Sequence, residues 1–296
     1  MENSKCCIFM ISSRVKVLKT CLELLYKNYN NKFQFPVHIF HFDDIYSNDY
    51  IEDIQNSINK NINFHQIEYK IPDNIEEKDL YYNKTFLKYV RLNFSKKRIG
   101  YLHANYFWNN FFKIPILQQY DYTMRIDDDS FFINEINENL FETLYNKKIK
   151  FGTGFTNNAD RYAHDVRYKL FDFVKEFCKD NNIIPKNKNL YNGIKNNDEK
   201  CIIGIKGKTN LLWNCGNCNV YDMSMFKEEQ WIKWNKKFND EAGGYKYRWG
   251  DIEMIGLYTY LLHDLPIHDF KLKEKGLYET GNTKWLRVGT APSTKN

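Results

Sequence analysis

The sequence predicts an α/β domain built on a mostly parallel sheet. Three observations carry this. Apolar runs and amphipathic segments alternate in a βαβαβ order over residues 6–69, the pattern that demands parallel strands with helical crossovers. A later apolar run, residues 122–126, ends directly in Asp127-Asp128-Asp129, and in open α/β sheets ligands bind outside the carboxyl ends of strands. No apolar stretch reaches the roughly 18 residues that span a bilayer.

The elements follow in order. Residues 6–11 are a first strand. Residues 15–29, with Val15, Leu18, Leu22, Leu25 and Tyr26 near helical spacing, are an amphipathic helix. Residues 35–40 read as a second strand, 43–57 as a helix and 62–69 as a third strand. Aromatics at helical spacing fill residues 80–120. They predict two helices, broken near residues 95–98 or at Gly100, with Pro115 marking a kink or late turn. After the strand at 122–126 come a strand at 150–156 and a helix at 160–178. Residues 181–208, polar and Asn/Lys-rich, are expected to be a long loop or insertion. Residues 211–221 are strand-like and 225–238 helical. Gly243-Gly244 reads as a hinge or turn, 248–262 as a helix, and 266–286 as strand and loop. No repeat or linker divides the chain, so one domain is expected over residues 1–296. Its halves are 6–130 and 131–296.

Composition bounds the function. The chain has 296 residues, 43% of them hydrophobic and 17% aromatic, which excludes a wholly disordered protein. A chain this long buries about three quarters of its unfolded surface. The net charge of +6 is modest and no run of five Lys or Arg occurs. That suits an anionic small molecule and argues against nucleic acid. Seven scattered cysteines read as reduced core thiols. Cys215-Gly216-Asn217-Cys218 is a lone CxxC without a second pair. Residues 1–10 lack a basic segment and a cleavage site, so a cytoplasmic or peripheral protein is expected. The sequons at Asn83 and Asn93 are then expected to be unused.

Asp127-Asp128-Asp129 is the strongest local signal. Asp127 and Asp129 fall on one face in a two-residue period. Hard cations such as Mn²⁺ or Mg²⁺ take oxygen ligands and keep positions open for phosphate oxygens. Such a metal serves the departure of a diphosphate by neutralising charge on the leaving group. The bland alternative is a solvated acidic turn. Arg14 follows the first strand, where a guanidinium can pair with a phosphate, stack on a base or merely start a helix. His103 and Tyr106 either line a donor site or pack in the core. Tyr245, Tyr247 and Trp249 either offer a sugar-stacking platform or are core. Glu253 either joins the site or pairs on a helix surface.

Two segments carry a resemblance. Residues 115–125, Pro-Ile-Leu-Gln-Gln-Tyr-Asp-Tyr-Thr-Met-Arg, precede the acidic strand end. Residues 242–251, Ala-Gly-Gly-Tyr-Lys-Tyr-Arg-Trp-Gly-Asp, are the more specific stretch, and residues 213–226 a weaker third. In this order they resemble the fungal α-1,2-mannosyltransferases of glycosyltransferase family 15, over about residues 6–285. The resemblance implies a GT-A fold that merges a nucleotide-sugar-binding half with an acceptor half. It implies transfer of mannose from GDP-mannose to a mannoside or other glycan or glycoprotein hydroxyl, with retention and with Mn²⁺. By position it gives the metal to Asp127, Asp129 and Glu279; the candidates for holding the donor, read from the residues themselves, are Arg14, Asp127, Asp128, Tyr106 and Trp249. Asp251 and Asn219 then face the donor sugar and acceptor. Asn219 stands where the family carries a Glu, Glu279 where it carries a His, and Asp128 where it carries a Pro. An amide cannot be the nucleophile of a double displacement, so a front-face mechanism is favoured. The rival reading is a catalytically silent sugar-binding module. The family is usually anchored in secretory membranes, and this chain shows no anchor segment.

Overall fold

The computed structural model describes residues 4–42, 45–68, 71–73, 75–80, 99–159, 167–203, 208–214, 216–264 and 267–279. Its elements are β1 (Cys6–Ile11), α1 (Val15–Leu25), β2 (Val37–His41), α2 (Asn48–Ser57), β3 (Ile62–Gln66), α3 (Ile99–Asn110), β4 (Tyr122–Ile126), β5 (Ser130–Phe132), α4 (Leu140–Lys147), β6 (Phe151–Thr153), β7 (Thr156–Ala159), α5 (Leu170–Asp180), α6 (Lys188–Lys195), α7 (Lys200–Ile203), β8 (Lys208–Asn214), β9 (Cys218–Asp222), α8 (Glu229–Asp240), α9 (Gly243–Lys246), α10 (Asp251–Leu262), β10 (His268–Asp269), α11 (Leu272–Lys275) and β11 (Leu277–Glu279).

Seven strands form one sheet in the order β10-β6-β9-β4-β1-β2-β3. The pairs β1–β2 and β2–β3 are parallel, as the βαβαβ opening predicts, and β1–β4 and β6–β10 are parallel as well. β9 runs antiparallel between β4 and β6. Two small antiparallel ribbons, β5–β11 and β7–β8, lie beside the sheet. Because helices cover both faces, β1 is a continuous apolar run rather than an alternating one. Ile8 and Met10 join Leu18, Leu22 and Leu25 of α1 on one side. Cys7 and Phe9 face the other, with Trp108, Phe111, Tyr221 and Trp249.

Several boundaries differ from the sequence reading, each for a local reason. Residues 181–208 are not one long loop. Asn187 accepts hydrogen bonds from the backbone N–H of Asn189 and Leu190, both 3.0 Å, and so caps α6. Leu190 and Ile202 are fully buried, and Gly193 lets α6 approach Cys201. The asparagines that suggest a loop therefore serve as a cap. Gly243-Gly244 opens α9 rather than a hinge. A Cβ at Gly243 would lie 2.1 Å from the Trp249 ring, so close packing explains that glycine. Gly100 lies inside α3, and Pro115 falls between two 3₁₀ turns that follow it. The expected break at 95–98, residues 43–44, the first turns of the 160–178 helix, Cys215, both sequons and the tail beyond Glu279 lie outside the described residues.

The six described cysteines are buried thiols. Burial pushes the Cys6, Cys178 and Cys201 thiols up to about 12, so they behave as core groups.

A buried histidine chain predicts acid sensitivity. His38 Nδ1 meets His65 Nε2 at 2.9 Å, and His38 Nε2 meets the Tyr120 hydroxyl at 2.8 Å. Burial, with His65 alongside, lowers His38 to about 4, and burial alone lowers His103 to about 4. A folded-state value below the unfolded one, about 6.5, favours the neutral ring in the native state. Stability is therefore complete above about 6.5 and is lost as pH falls through about 4. Each such histidine steepens the loss by up to about 1.4 kcal/mol per pH unit. Urea midpoints measured from pH 7 to 4 are expected to fall, and to fall less steeply in His38→Gln. Equal slopes in both proteins would refute this.

Candidate active site

β1 and β4 are parallel neighbours, with Phe9 opposite Arg125. Their carboxyl ends therefore bring Ser12–Arg14 beside Asp127–Asp129. A turn holds the triplet: the Asp127 N–H donates to the Asn217 carbonyl, and the Ser130 N–H to the Asp127 carbonyl, both 3.0 Å. β5 follows at once and pairs with β11, where Glu279 stands opposite Ser130 in the backbone register. The end of β11 is thus placed next to Asp129.

Two arginines organise the carboxylates. Arg14 donates to Asp128 and, at 2.7 Å, to Asp129. Asp128 is buried. Its second oxygen accepts from the Ser12 hydroxyl at 2.6 Å, and Ser12 in turn meets the Tyr46 hydroxyl at 2.7 Å. Arg125 projects from β4 and is buried, its guanidinium 3.8 Å above the Trp108 ring. It donates to Asp127 at 2.9 Å and to Asp251, the first residue of α10. Burial raises Asp127 from the ordinary carboxylate range to about 7, with Asp129 and Asp251 adding to the rise and Arg125 opposing it. Burial likewise raises Asp251 against Arg125. Four carboxylates thus face two guanidiniums.

The donor set fits a hard divalent cation. Asp129 is close enough to Asp127 to disfavour its charge, and a cation would relieve that. Among the described residues, no three His, Cys, Asp or Glu side chains form a ready cage. Two carboxylates leave positions for phosphate oxygens, as such metals prefer.

The other expected residues divide. Asn219 lies opposite Arg125 on β4 and Thr153 on β6. It is fully buried, and neither amide atom has a hydrogen-bond partner among the described residues, although the Tyr221 hydroxyl is near. Asn219 thus sits on the central strand β9, on the same sheet face as its cross-strand neighbour Arg125. Trp249 packs as a core residue in the structure. It is 0% exposed, its indole N–H donates to the Tyr168 carbonyl at 2.9 Å, and its ring packs on Phe173. Tyr106 is half-buried and packs against Tyr245 in a satellite cluster, and Tyr245 is buried and bonded to His103 at 2.9 Å. Glu253 is neither on the surface nor among the triplet. It accepts from the Gly250 N–H at 3.3 Å and pairs with buried Arg167 at 3.4 Å. Sequence reasoning gave no role to Arg125, Ser12, Tyr46 or Trp108. For Arg125 a signal existed, since it shares a strand face with Asp127 two residues on. For Tyr46 none did.

The profile of the family described as glycolipid 2-alpha-mannosyltransferase (glycosyltransferase family 15) matches residues 1–284. The chain belongs to this family. It is similar to Mannosyltransferase KTR6 of Saccharomyces cerevisiae, 27% identical over 173 residues, 57% of this chain and 36% of that protein. It is also similar to Probable mannosyltransferase KTR4 of the same yeast, 21% identical over 281 residues, 88% and 57% of the two chains. O-glycoside alpha-1,2-mannosyltransferase omh1 of Schizosaccharomyces pombe is 24% identical over 264 residues, 87% and 64%. The chain therefore spans between about a third and two thirds of the length of these relatives. Core-mannan synthase A from Aspergillus fumigatus, solved in a Mn/GDP form, superposes with a TM-score of 0.75 at 17% identity, covering 90% of this chain and 73% of that one. Ktr4p of S. cerevisiae gives 0.70 at 19%, covering 90% and 69%. The family 15 chain thus has the GT-A fold that the resemblance implied. Among its described residues, no helix is long and apolar enough to cross a membrane.

Proposed function

We propose that the protein transfers mannose from GDP-mannose to a hydroxyl of a glycan or glycoprotein, with retention of configuration and with Mn²⁺ or Mg²⁺. The observation that carries this is the cluster of four carboxylates and two arginines at the carboxyl ends of β1 and β4, in a family named for mannosyl transfer. A Mn/GDP form of a relative in fold supports the choice of ligands.

Asp127 and Asp129 would hold the metal, with Glu279 adjacent in the backbone register. Bound there, the metal supplies positive charge to the diphosphate as it departs. Arg14, whose side chain is half-exposed, offers a further donor to phosphate oxygens. Asp251, oriented by Arg125, faces the sugar and acceptor side. Asn219 is a neutral amide, so no carboxylate nucleophile stands at that position. A front-face course then balances: the C1–O bond to phosphate breaks with its electron pair leaving on the diphosphate. The acceptor oxygen bonds C1 from the same side, and its proton passes to the departing phosphate oxygen.

The neutral, buried Asn219 also motivates the alternative, a silent module that binds nucleotide sugar without transfer. Calorimetry and thermal shift with GDP, GDP-mannose, UDP-glucose and UDP-N-acetylglucosamine, each with and without Mn²⁺, test the common ground. A ligand at a hundredfold excess over Kd adds about 2.7 kcal/mol of apparent stability. Mn²⁺-dependent stabilisation by guanine nucleotides is expected and should vanish in Asp129→Ala, whose circular dichroism should match wild type. Retained Mn²⁺-stimulated binding in that variant would remove the metal assignment. A mannosyl-transfer assay then separates enzyme from silent module.

A further inference from the structure

We infer that Arg14 is a tethered cation that occupies Asp129 when no nucleotide is bound, and that Asp128 is its anchor, so that metal and nucleotide diphosphate bind cooperatively. This rests on the function proposed above.

The three partners differ in exposure. The Arg14 side chain is 45% exposed, that of Asp128 is 3% and that of Asp129 is 14%. Asp128 is committed to the protein: one oxygen takes the Arg14 guanidinium, the other the Ser12 hydroxyl, which Tyr46 holds in turn. Its geometry is that of a fixed post rather than of an open ligand. Asp129 is the more exposed carboxylate and meets the other Arg14 nitrogen at 2.7 Å. The guanidinium thus spans a buried anchor and a carboxylate at the mouth of the site. Arg14 is always charged and is held further toward the charged form by both partners.

The charge already present at Asp129 has two consequences. A divalent cation alone must displace Arg14 from Asp129, which leaves a guanidinium N–H without its acceptor and weakens metal binding. A nucleotide diphosphate supplies a new acceptor for that N–H. Arg14 can then turn its freed nitrogen to phosphate while Asp128 keeps its position, and Asp129 is released to the cation. Each ligand lowers the cost of binding the other, and the coupling is reciprocal.

Titration calorimetry of Mn²⁺ alone, GDP alone, and each in the presence of the other tests this in wild type, Arg14→Met and Arg14→Lys. In wild type, GDP is expected to tighten Mn²⁺ by about tenfold or more, within the usual range of coupling. Because Arg14→Met removes a partner of buried Asp128, Arg14→Lys, which keeps the charge, stands in should it unfold, and circular dichroism and thermal unfolding first check the fold of Arg14→Met. It should bind Mn²⁺ alone several-fold more tightly, and its coupling should shrink toward unity. Arg14→Lys, which keeps a charge but loses the two-pronged bridge, should fall between. Unchanged or weaker Mn²⁺ affinity in Arg14→Met with the coupling intact would overturn the inference. If wild type binds neither Mn²⁺ nor GDP, the proposed function itself fails. If wild type binds both and the variants match it, only the role of Arg14 fails.

Discussion

Replacing Arg125 by leucine is expected to destabilise the fold by about 3–5 kcal/mol, the usual cost of stranding a buried charge. Arg125 and Asp251 are each about 95% buried, with side-chain exposures of 5% and 6%. The substitution leaves two carboxylates facing each other across a low-dielectric gap and removes the cation stacked on Trp108. Urea unfolding at pH 7.5 measures the loss. Arg125→Met combined with Asp251→Leu should recover part of it, because an apolar pair is tolerated better than an uncompensated ion. A loss below about 1 kcal/mol for the single variant would mean that solvent reaches the pair and that surface values apply.

Trp249→Ala is expected to cost a similar amount, about 3–5 kcal/mol. The ring fills the space against Gly243 and lies among Phe173, Phe238 and Tyr247, and its loss also removes the hydrogen bond to the Tyr168 carbonyl. Nucleotide-sugar affinity per folded molecule should not change. A sugar-stacking role gives the reverse pattern, with weakened binding and nearly normal stability. Thermal unfolding and calorimetry on one preparation therefore decide between core and platform.

The comparison of sequence with structure divides along the range of the forces involved. β1, α1, β2 and β4 were legible because burial on both sheet faces writes apolar runs locally, and helix spacing writes Leu18, Leu22 and Leu25. The acidic triplet was legible because it interrupts such a run at its carboxyl end. What was hidden depends on partners far along the chain. Nothing near Trp249 distinguishes a core indole from an exposed one; only the closeness of Gly243, Phe173 and Phe238 does. The capping role of Asn187 was masked by a surplus of asparagine, which makes every Asn-rich stretch resemble a loop. The antiparallel insertion of β9 between β4 and β6 likewise follows from pairing, not from the residues of β9 themselves.

The spacing of partners in the site also bears on how the molecule is made. Ser12 meets Asp128 across 116 positions, and Arg125 meets Asp251 across 126. Chains emerge from the ribosome amino end first, and contacts of large separation close late and slowly. A nascent chain that has released β4 but not α10 holds Arg125 without one of its two carboxylates. The charge balance of the centre is therefore reached only after α10 has docked. Premature arrest before Asp251 would yield a product whose Arg125 keeps Asp127 but lacks its second carboxylate and the packing of α10, a form that proteolysis can distinguish from the finished protein.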